Sequence, residues 1–238
     1  MMCRKQITKP FTFFCYTEDP TDIIKDVNIV PWVDNNFDHV LHNKLFLFSK
    51  YLANVWGADT PCLFFDLDMI IHKNIDVVAN HTHTALSVLR PVWKYRVEID
   101  FGTLQHNWDN NVQVSQYPYR DHYINSSIMM WVPKYNYTIW DQYKESQDKF
   151  MILYHSSMDP YLFHECNIRG CRTLAAYEYL YCSFVYGSNE EYHPHIQYDP
   201  ATRYSHFTLL HNIVVLNGPT SQELYDKFIK TIKLKQDN

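Results

Sequence analysis

Along this chain, short continuous apolar runs alternate with stretches of helical period. Phe11-Thr12-Phe13-Phe14-Cys15-Tyr16 is short, apolar and aromatic and ends in the turn-forming Thr17-Glu18-Asp19-Pro20, which predicts a buried strand. Leu41, Leu45, Phe48, Leu52 and Val55 then recur at steps of four and three, the spacing of one helical face, and Gly57 follows as a C-cap. After Pro61, Cys62-Leu63-Phe64-Phe65 is apolar without interruption and suits a central strand covered on both faces. Further strands are predicted at Ala85–Leu89, Ser127–Val132 and Asn212–Leu216, and helices near Ile139–Phe150, Tyr161–Cys166 and Gln222–Ile232. The last has a capping box, Thr220 with Glu223, ahead of an apolar face of Leu224, Phe228 and Ile232. Strands alternating with helices predict an α/β fold with a largely parallel central sheet flanked by helices.

The chemistry stands at the end of the most buried run. Asp66-Leu67-Asp68 follows Phe65 directly, and in open α/β sheets ligands bind beyond the carboxyl ends of strands. If the backbone stays extended, both carboxylates lie on one side, where a shared cation relieves their repulsion. Oxygen ligands select a hard divalent ion, Mn²⁺ or Mg²⁺, which keeps positions open for substrate phosphates. The bland alternative is a pair of turn or cap aspartates, but two acids directly after an apolar run are awkward to bury without a partner.

Composition bounds the remaining choices. The 238 residues are 46% apolar and 16% aromatic, enough for a sizeable core in a single domain over residues 1–238. Five glycines and eleven prolines are spread without a linker or repeat to mark a boundary. A net charge of −5 with no basic cluster excludes nucleic acid as the main partner. The six cysteines lack zinc-ligand spacing and read as buried reduced thiols. No signal peptide and no membrane-spanning run is visible, so a cytoplasmic location follows, with the sequons at Asn80, Asn125 and Asn136 unmodified. His81/His83, His193/His195 and His206/His211 fit no zinc-hydrolase pattern, and the aromatic stretch Tyr177–Tyr186 reads as sheet packing rather than a sugar platform.

The stretch from Cys62 to Ile71, followed by Asn74-Ile75-Asp76, resembles the DxD segment of GT-A-fold glycosyltransferases, especially glycogenin-like enzymes and related bacterial or viral members. Other segments fall in matching order: Phe11–Asp19, His42-Asn43-Lys44-Leu45, Asn125-Ser126-Ser127-Ile128-Met129-Met130-Trp131, Met158-Asp159, and Val215-Leu216-Asn217-Gly218-Pro219. The resemblance implies a metal-dependent transfer of a sugar from a nucleoside-diphosphate sugar, a UDP-sugar, to a saccharide or other hydroxyl acceptor. It implies that Asp66 contacts ribose and metal, that Asp68 and Asn217 ligate the metal, and that Lys44 reaches a diphosphate oxygen. Asn125 and Ser126 would bind the donor, and Asp159 would act in catalysis. Read from the residues alone, Lys44 also suits a solvated helix border, Asn125 a loop end, and Asp159 an N-cap before Pro160.

Two departures from the family pattern stand out. The chain starts almost at the family's second strand, which predicts a missing first strand and helix and an open base pocket. Asn217 stands where the family has a histidine ligand, and Thr220 where a basic residue often follows. These departures leave open a degenerate nucleotide-sugar-binding protein without turnover, and an apolar strand ending in Asp-x-Asp also leaves open a haloacid-dehalogenase-like phosphatase. A homo-oligomer is a further open possibility.

Overall fold

The computed structural model describes residues 2–31, 40–79, 85–89, 124–154, 158–159, 161–163, 173–174, 181–185, 212–217 and 226. Its framework is the pairing of two strands. Strand β3 (Cys62–Phe65) runs antiparallel to β6 (Asn125–Trp131), with Cys62 opposite Trp131 and Phe65 opposite Ile128. Side chains alternate across a strand, so this pair serves two hydrophobic clusters at once. Cys62, Phe64, Met129 and Trp131 face one cluster, and Leu63, Phe65, Ile128 and Met130 face the other. That two-sided burial is the reason the Cys62–Phe65 run carries no polar residue.

The sheet continues from β6 to β5 (Ser87–Leu89), antiparallel, and from β5 to β7 (Thr173–Leu174), parallel. A second sheet orders β4 (Met69–Ile71), β9 (Ile213–Asn217) and β8 (Tyr181–Val185); β4 and β9 are antiparallel and β9 and β8 parallel. Strands β1 (Phe14–Thr17) and β2 (Asn28–Pro31) form a parallel pair. The α/β architecture is as predicted, but the described pairings are mixed in direction rather than largely parallel. Antiparallel partners come from opposite ends of the chain, as β4 and β9 do, and no local pattern encodes that choice.

The predicted strand ends shift by a few residues, and two predicted helices are broken. Val40–Phe48 winds as a 3₁₀ helix, and a new helix, α2 (Lys50–Trp56), begins after Ser49. Leu45, Phe46, Leu47 and Phe48 are all buried, so this segment has no single apolar face to lay on the sheet. Ser49 is extended, and its Oγ accepts from the Leu52 backbone N–H at 3.2 Å, which restarts the helix. In α2 it is Leu52 and Ala53 that are buried, while Val55, expected on the apolar face, is exposed. The Ile139–Phe150 pattern is likewise divided at Ser146 into Thr138–Glu145 and Gln147–Tyr154. There Ser146 Oγ donates to the Gln142 carbonyl at 2.7 Å, a side-chain bond that competes with helix continuation.

These helices close the first cluster through aromatic edges. Tyr143, Phe150 and Tyr161 are fully buried, with Phe150 edge-on to Tyr143 and Tyr161 at 5.0 and 4.6 Å between centroids. Tyr161 Oη also donates to the Ile139 carbonyl at 3.0 Å. The chain is helical at residues 161–163, within the predicted Tyr161–Cys166, and already at 158–159, ahead of it, and this packing anchors it.

The second cluster is closed by a short helix, α1 (Met2–Gln6), whose Cys3 packs with Met69, Ile71, Ile75 and Val78. Asp76 accepts from the Thr8 backbone N–H at 2.9 Å and from its hydroxyl, tying the segment after α1 to α3 (Asp76–Ala79). The predicted helix Gln222–Ile232 lies outside the described residues apart from helical Asp226, as do the three histidine pairs and the sequon at Asn80. Buried Asn136 donates its amide to the Val132 carbonyl at 2.9 Å, in keeping with an unmodified sequon. Cys3, Cys15 and Cys62 are free thiols, and burial pushes the Cys62 thiol up to about 12.

Gly57 closes α2 at φ 91°, ψ 121°, where a side chain is strained, and a Cβ there would lie 2.7 Å from Thr60 Oγ1. Gly57→Ala should therefore cost about 1–3 kcal/mol of stability, measurable as a lowered denaturation midpoint at unchanged slope.

Candidate active site

The alternation that buries β3 also aims its first acid. Phe64 faces the first cluster, so Asp66, two residues on, emerges on the same side, where the 3₁₀ helix supplies Lys44. Lys44 Nζ and Asp66 Oδ1 form an ion pair whose side chains are 25% and 19% exposed. The ammonium also lies 5.4 Å from the Phe64 ring centroid, a cation–π contact. Buried Leu45–Phe48 fix the backbone that carries this lysine. Lys44 is thus partly buried and ion-paired rather than a solvated helix border. Phe64 beneath it was legible only as core, although its two-residue spacing from Asp66 puts both on one face.

Asp68 is set differently. The chain turns at Leu67 and Asp68, so the two carboxylates are brought together by a turn rather than by extended alternation. Leu67, at the tip, is fully exposed. Asp68 Oδ1 is buried with no hydrogen-bond partner. Burial, and then the neighbouring Asp66 charge, push the Asp68 carboxyl above the usual carboxylate range; its backbone hydrogen bond and Lys44 act in the opposite direction more weakly. An acid left this way is short of positive charge.

The start of β6 lies beside this turn. Asp66 N–H donates to the Ser127 carbonyl at 2.9 Å, which locks the acid to the neighbouring strand. Asn125 accepts through Oδ1 from the Ser127 N–H at 3.0 Å, so part of its amide is spent shaping the strand end. Buried Ser126 donates its backbone N–H to Asp159 Oδ1 at 3.1 Å. Asp159 is already helical together with Met158, so it does not stand as the residue before the helix; its carboxylate reaches across to β6 instead.

Asn217 is the last residue of β9. Met69 pairs with Val215 in the antiparallel β4–β9 ladder, and Asn217 lies two residues beyond that pair, opposite Val185 of β8. The backbone thus brings Lys44, Asp66, Asp68, Asn125, Ser126, Asp159 and Asn217 to one end of the two sheets, from five separate parts of the chain.

The donor set fits a hard divalent cation. Asp66 and Asp68 offer carboxylate oxygens, one of them buried and unsatisfied, and among the described residues no third acid, histidine or cysteine joins them. Two protein carboxylates with the rest of the shell left to phosphates is the usual manner of holding Mg²⁺ or Mn²⁺ beside a nucleotide.

No protein-family model matches this chain, and no curated protein does. Among solved structures it is similar to the apo form of the bifunctional glycosyltransferase WbbM, with a TM-score of 0.50 and 11% identity over 87% of this chain. Its fold is GT-A-like. The chain spans 39% of the length of the WbbM chain. Two further similar structures are the galactosyltransferase LgtC in complex with donor and acceptor sugar analogs (TM-score 0.46, 10% identity, 87% of this chain and 74% of that one) and mouse xyloside xylosyltransferase 1 in apo form (0.40, 12%, 81% and 76%). In this GT-A-like chain the acids lie at the carboxyl end of a buried strand, as the general rule for α/β folds requires.

Because Asp68 is penalised when charged, Asp68→Asn should raise the melting temperature of the protein in EDTA at neutral pH. The sign follows from linkage: a folded-state pKa raised above the unfolded value costs stability above the folded pKa, and the cost vanishes once both states are protonated. The advantage of the variant should shrink as pH falls through the raised Asp68 range and be gone below about 3.9, the ordinary Asp value. Thermal melts across pH check this; an Asn variant less stable at neutral pH would refute it.

Proposed function

We propose that this protein is a metal-dependent glycosyltransferase that moves a sugar from a nucleoside-diphosphate sugar, a UDP-sugar, to a hydroxyl acceptor. The observation that carries the reading is the acid pair at the end of β3, one member paired with Lys44 and the other with its Oδ1 buried and without a hydrogen-bond partner, on a GT-A-like fold. In such a transfer the sugar leaves a nucleoside diphosphate, and stabilising that leaving group is the main demand on the protein. A cation held by Asp66 and Asp68, with Asn217 alongside, would supply Lewis-acid neutralisation of the diphosphate.

The chain's own residues do the rest. Lys44 adds a second positive charge beside the diphosphate, carried on a flexible arm from a rigid helix. Asn125 and Ser126, at the start of β6, position the donor sugar, with Asn125 using the amide group not engaged by Ser127. Asp159, held against the Ser126 backbone, faces the reacting sugar from the opposite element and takes the catalytic role. The GT-A-like fold sets the phosphatase alternative aside. A nucleotide-sugar binder without turnover is the second reading, and Asn217 favours it, because an amide oxygen is a weaker ligand for Mn²⁺ than imidazole. Among the described residues no helix is long and apolar enough to cross a membrane.

Titration calorimetry with UDP tests the reading. Binding should require Mn²⁺ or Mg²⁺ and be abolished by Asp68→Ala; undiminished affinity in that variant, or in EDTA, would end the proposal. For Asn217→His, Mn²⁺-dependent UDP binding should tighten by about tenfold or more, with a smaller gain for Mg²⁺. A variant with unchanged Mn²⁺ titration and only a lower melting temperature would remove Asn217 from the site.

A further inference from the structure

We infer that Lys44 is a stand-in for the cation: in the nucleotide-free protein its ammonium holds Asp66, and it must be displaced onto the diphosphate before Asp66 can ligate metal, so that cation and nucleotide bind cooperatively. The inference rests on the proposed nucleotide-sugar site and concerns its regulation.

The argument starts from charge. Among the described residues, two carboxylates at the β3 end face one ammonium, and that ammonium is committed to Asp66 while Asp68 Oδ1 has no hydrogen-bond partner. A divalent ion drawn in by Asp68 needs Asp66 as its second ligand, and there it meets Lys44. Cation and ammonium repel at this separation, and the pair is only about one-fifth exposed, so solvent screens that repulsion poorly. Metal alone therefore binds against the cost of breaking an ion pair and of crowding like charges.

A diphosphate reverses the balance. Its oxygens accept both the cation and the ammonium, giving Lys44 a new charge-assisted partner in place of Asp66. The geometry permits the swing while limiting its range. Buried Leu45–Phe48 hold the lysine's backbone, its four-carbon stem is flexible, and the Phe64 ring 5.4 Å from Nζ gives the ammonium a resting contact beside the acid. By linkage, whatever factor the diphosphate adds to metal affinity, the metal adds to diphosphate affinity. The free protein then discriminates against bare divalent ions and accepts them together with a nucleoside diphosphate.

The test is calorimetry of the full chain with Mn²⁺ alone, UDP alone, and UDP in saturating Mn²⁺, on the wild type, Lys44→Met and Lys44→Arg. Lys44→Met should bind Mn²⁺ alone about three- to tenfold tighter, the worth of a partly exposed ion pair, yet bind UDP in Mn²⁺ about tenfold or more weaker. Lys44→Arg, which keeps the charge, should retain the wild-type order of affinities. These opposite shifts in one variant are not what a merely structural lysine gives, since lost packing weakens both. Should Lys44→Met fail to fold, Lys44→Gln carries the same comparison. If the wild type binds UDP with Mn²⁺ but a folded, charge-free variant binds Mn²⁺ alone no tighter, the stand-in role is wrong and the nucleotide site survives. If the wild type binds no Mn²⁺ with or without UDP, both the site and the stand-in role fall.

Discussion

Packing of strand β3 against a hydrophobic cluster on each face is the constraint from which the arrangement at its end follows. Cys62 and Phe64 complete one hydrophobic cluster while Leu63 and Phe65 complete the other, so the strand tolerates no polar side chain until it leaves the sheet. The first polar positions then emerge together at one place, and Asp66 inherits the facing of Phe64. Partner strand β6 obeys the same rule in reverse. Its polar residues, Asn125, Ser126 and Ser127, come before its apolar run, so antiparallel pairing sets them beside the acids.

Electrostatics at this strand end are deliberately unbalanced in the physical sense that one acid is satisfied and one is not. Lys44 offsets Asp66, whereas Asp68 carries the costs of desolvation and of its neighbour's charge. A half-buried carboxylate without a partner is unfavourable for folding alone, and the surrounding clusters must hold the turn in place against it. The charge on Asp68 therefore acts against the stability of the folded chain.

The packing around the site explains why distant segments meet. The aromatic edges of Tyr143, Phe150 and Tyr161 fix the helical residues beyond 157, which carry Asp159 to the Ser126 backbone. Short α1 packs on the second cluster with β4, and β9 returns from the far end of the chain to pair with β4, its last residue Asn217 lying two positions beyond the partner of Met69. The aromatic edges are local, whereas the Ser126–Asp159 and β4–β9 contacts join residues remote in sequence.

Local pattern alone determined the buried strand from Cys62 to Phe65, the acids at its end, the Asn125–Trp131 strand and the glycine that stops α2, because periodicity and turn chemistry are properties of neighbouring residues. The tertiary structure alone decided the rest. The mixed strand directions, the break at Ser49 and the burial of Ala53 in place of an exposed Val55 depend on which surfaces each segment meets. The pairing of Lys44 with Asp66, the reach of Asp159 to Ser126 and the pairing of β9 with β4 are non-local in the same way. A lysine on a helix border reads identically whether it faces water or an acid; only the sheet packed against that helix tells them apart.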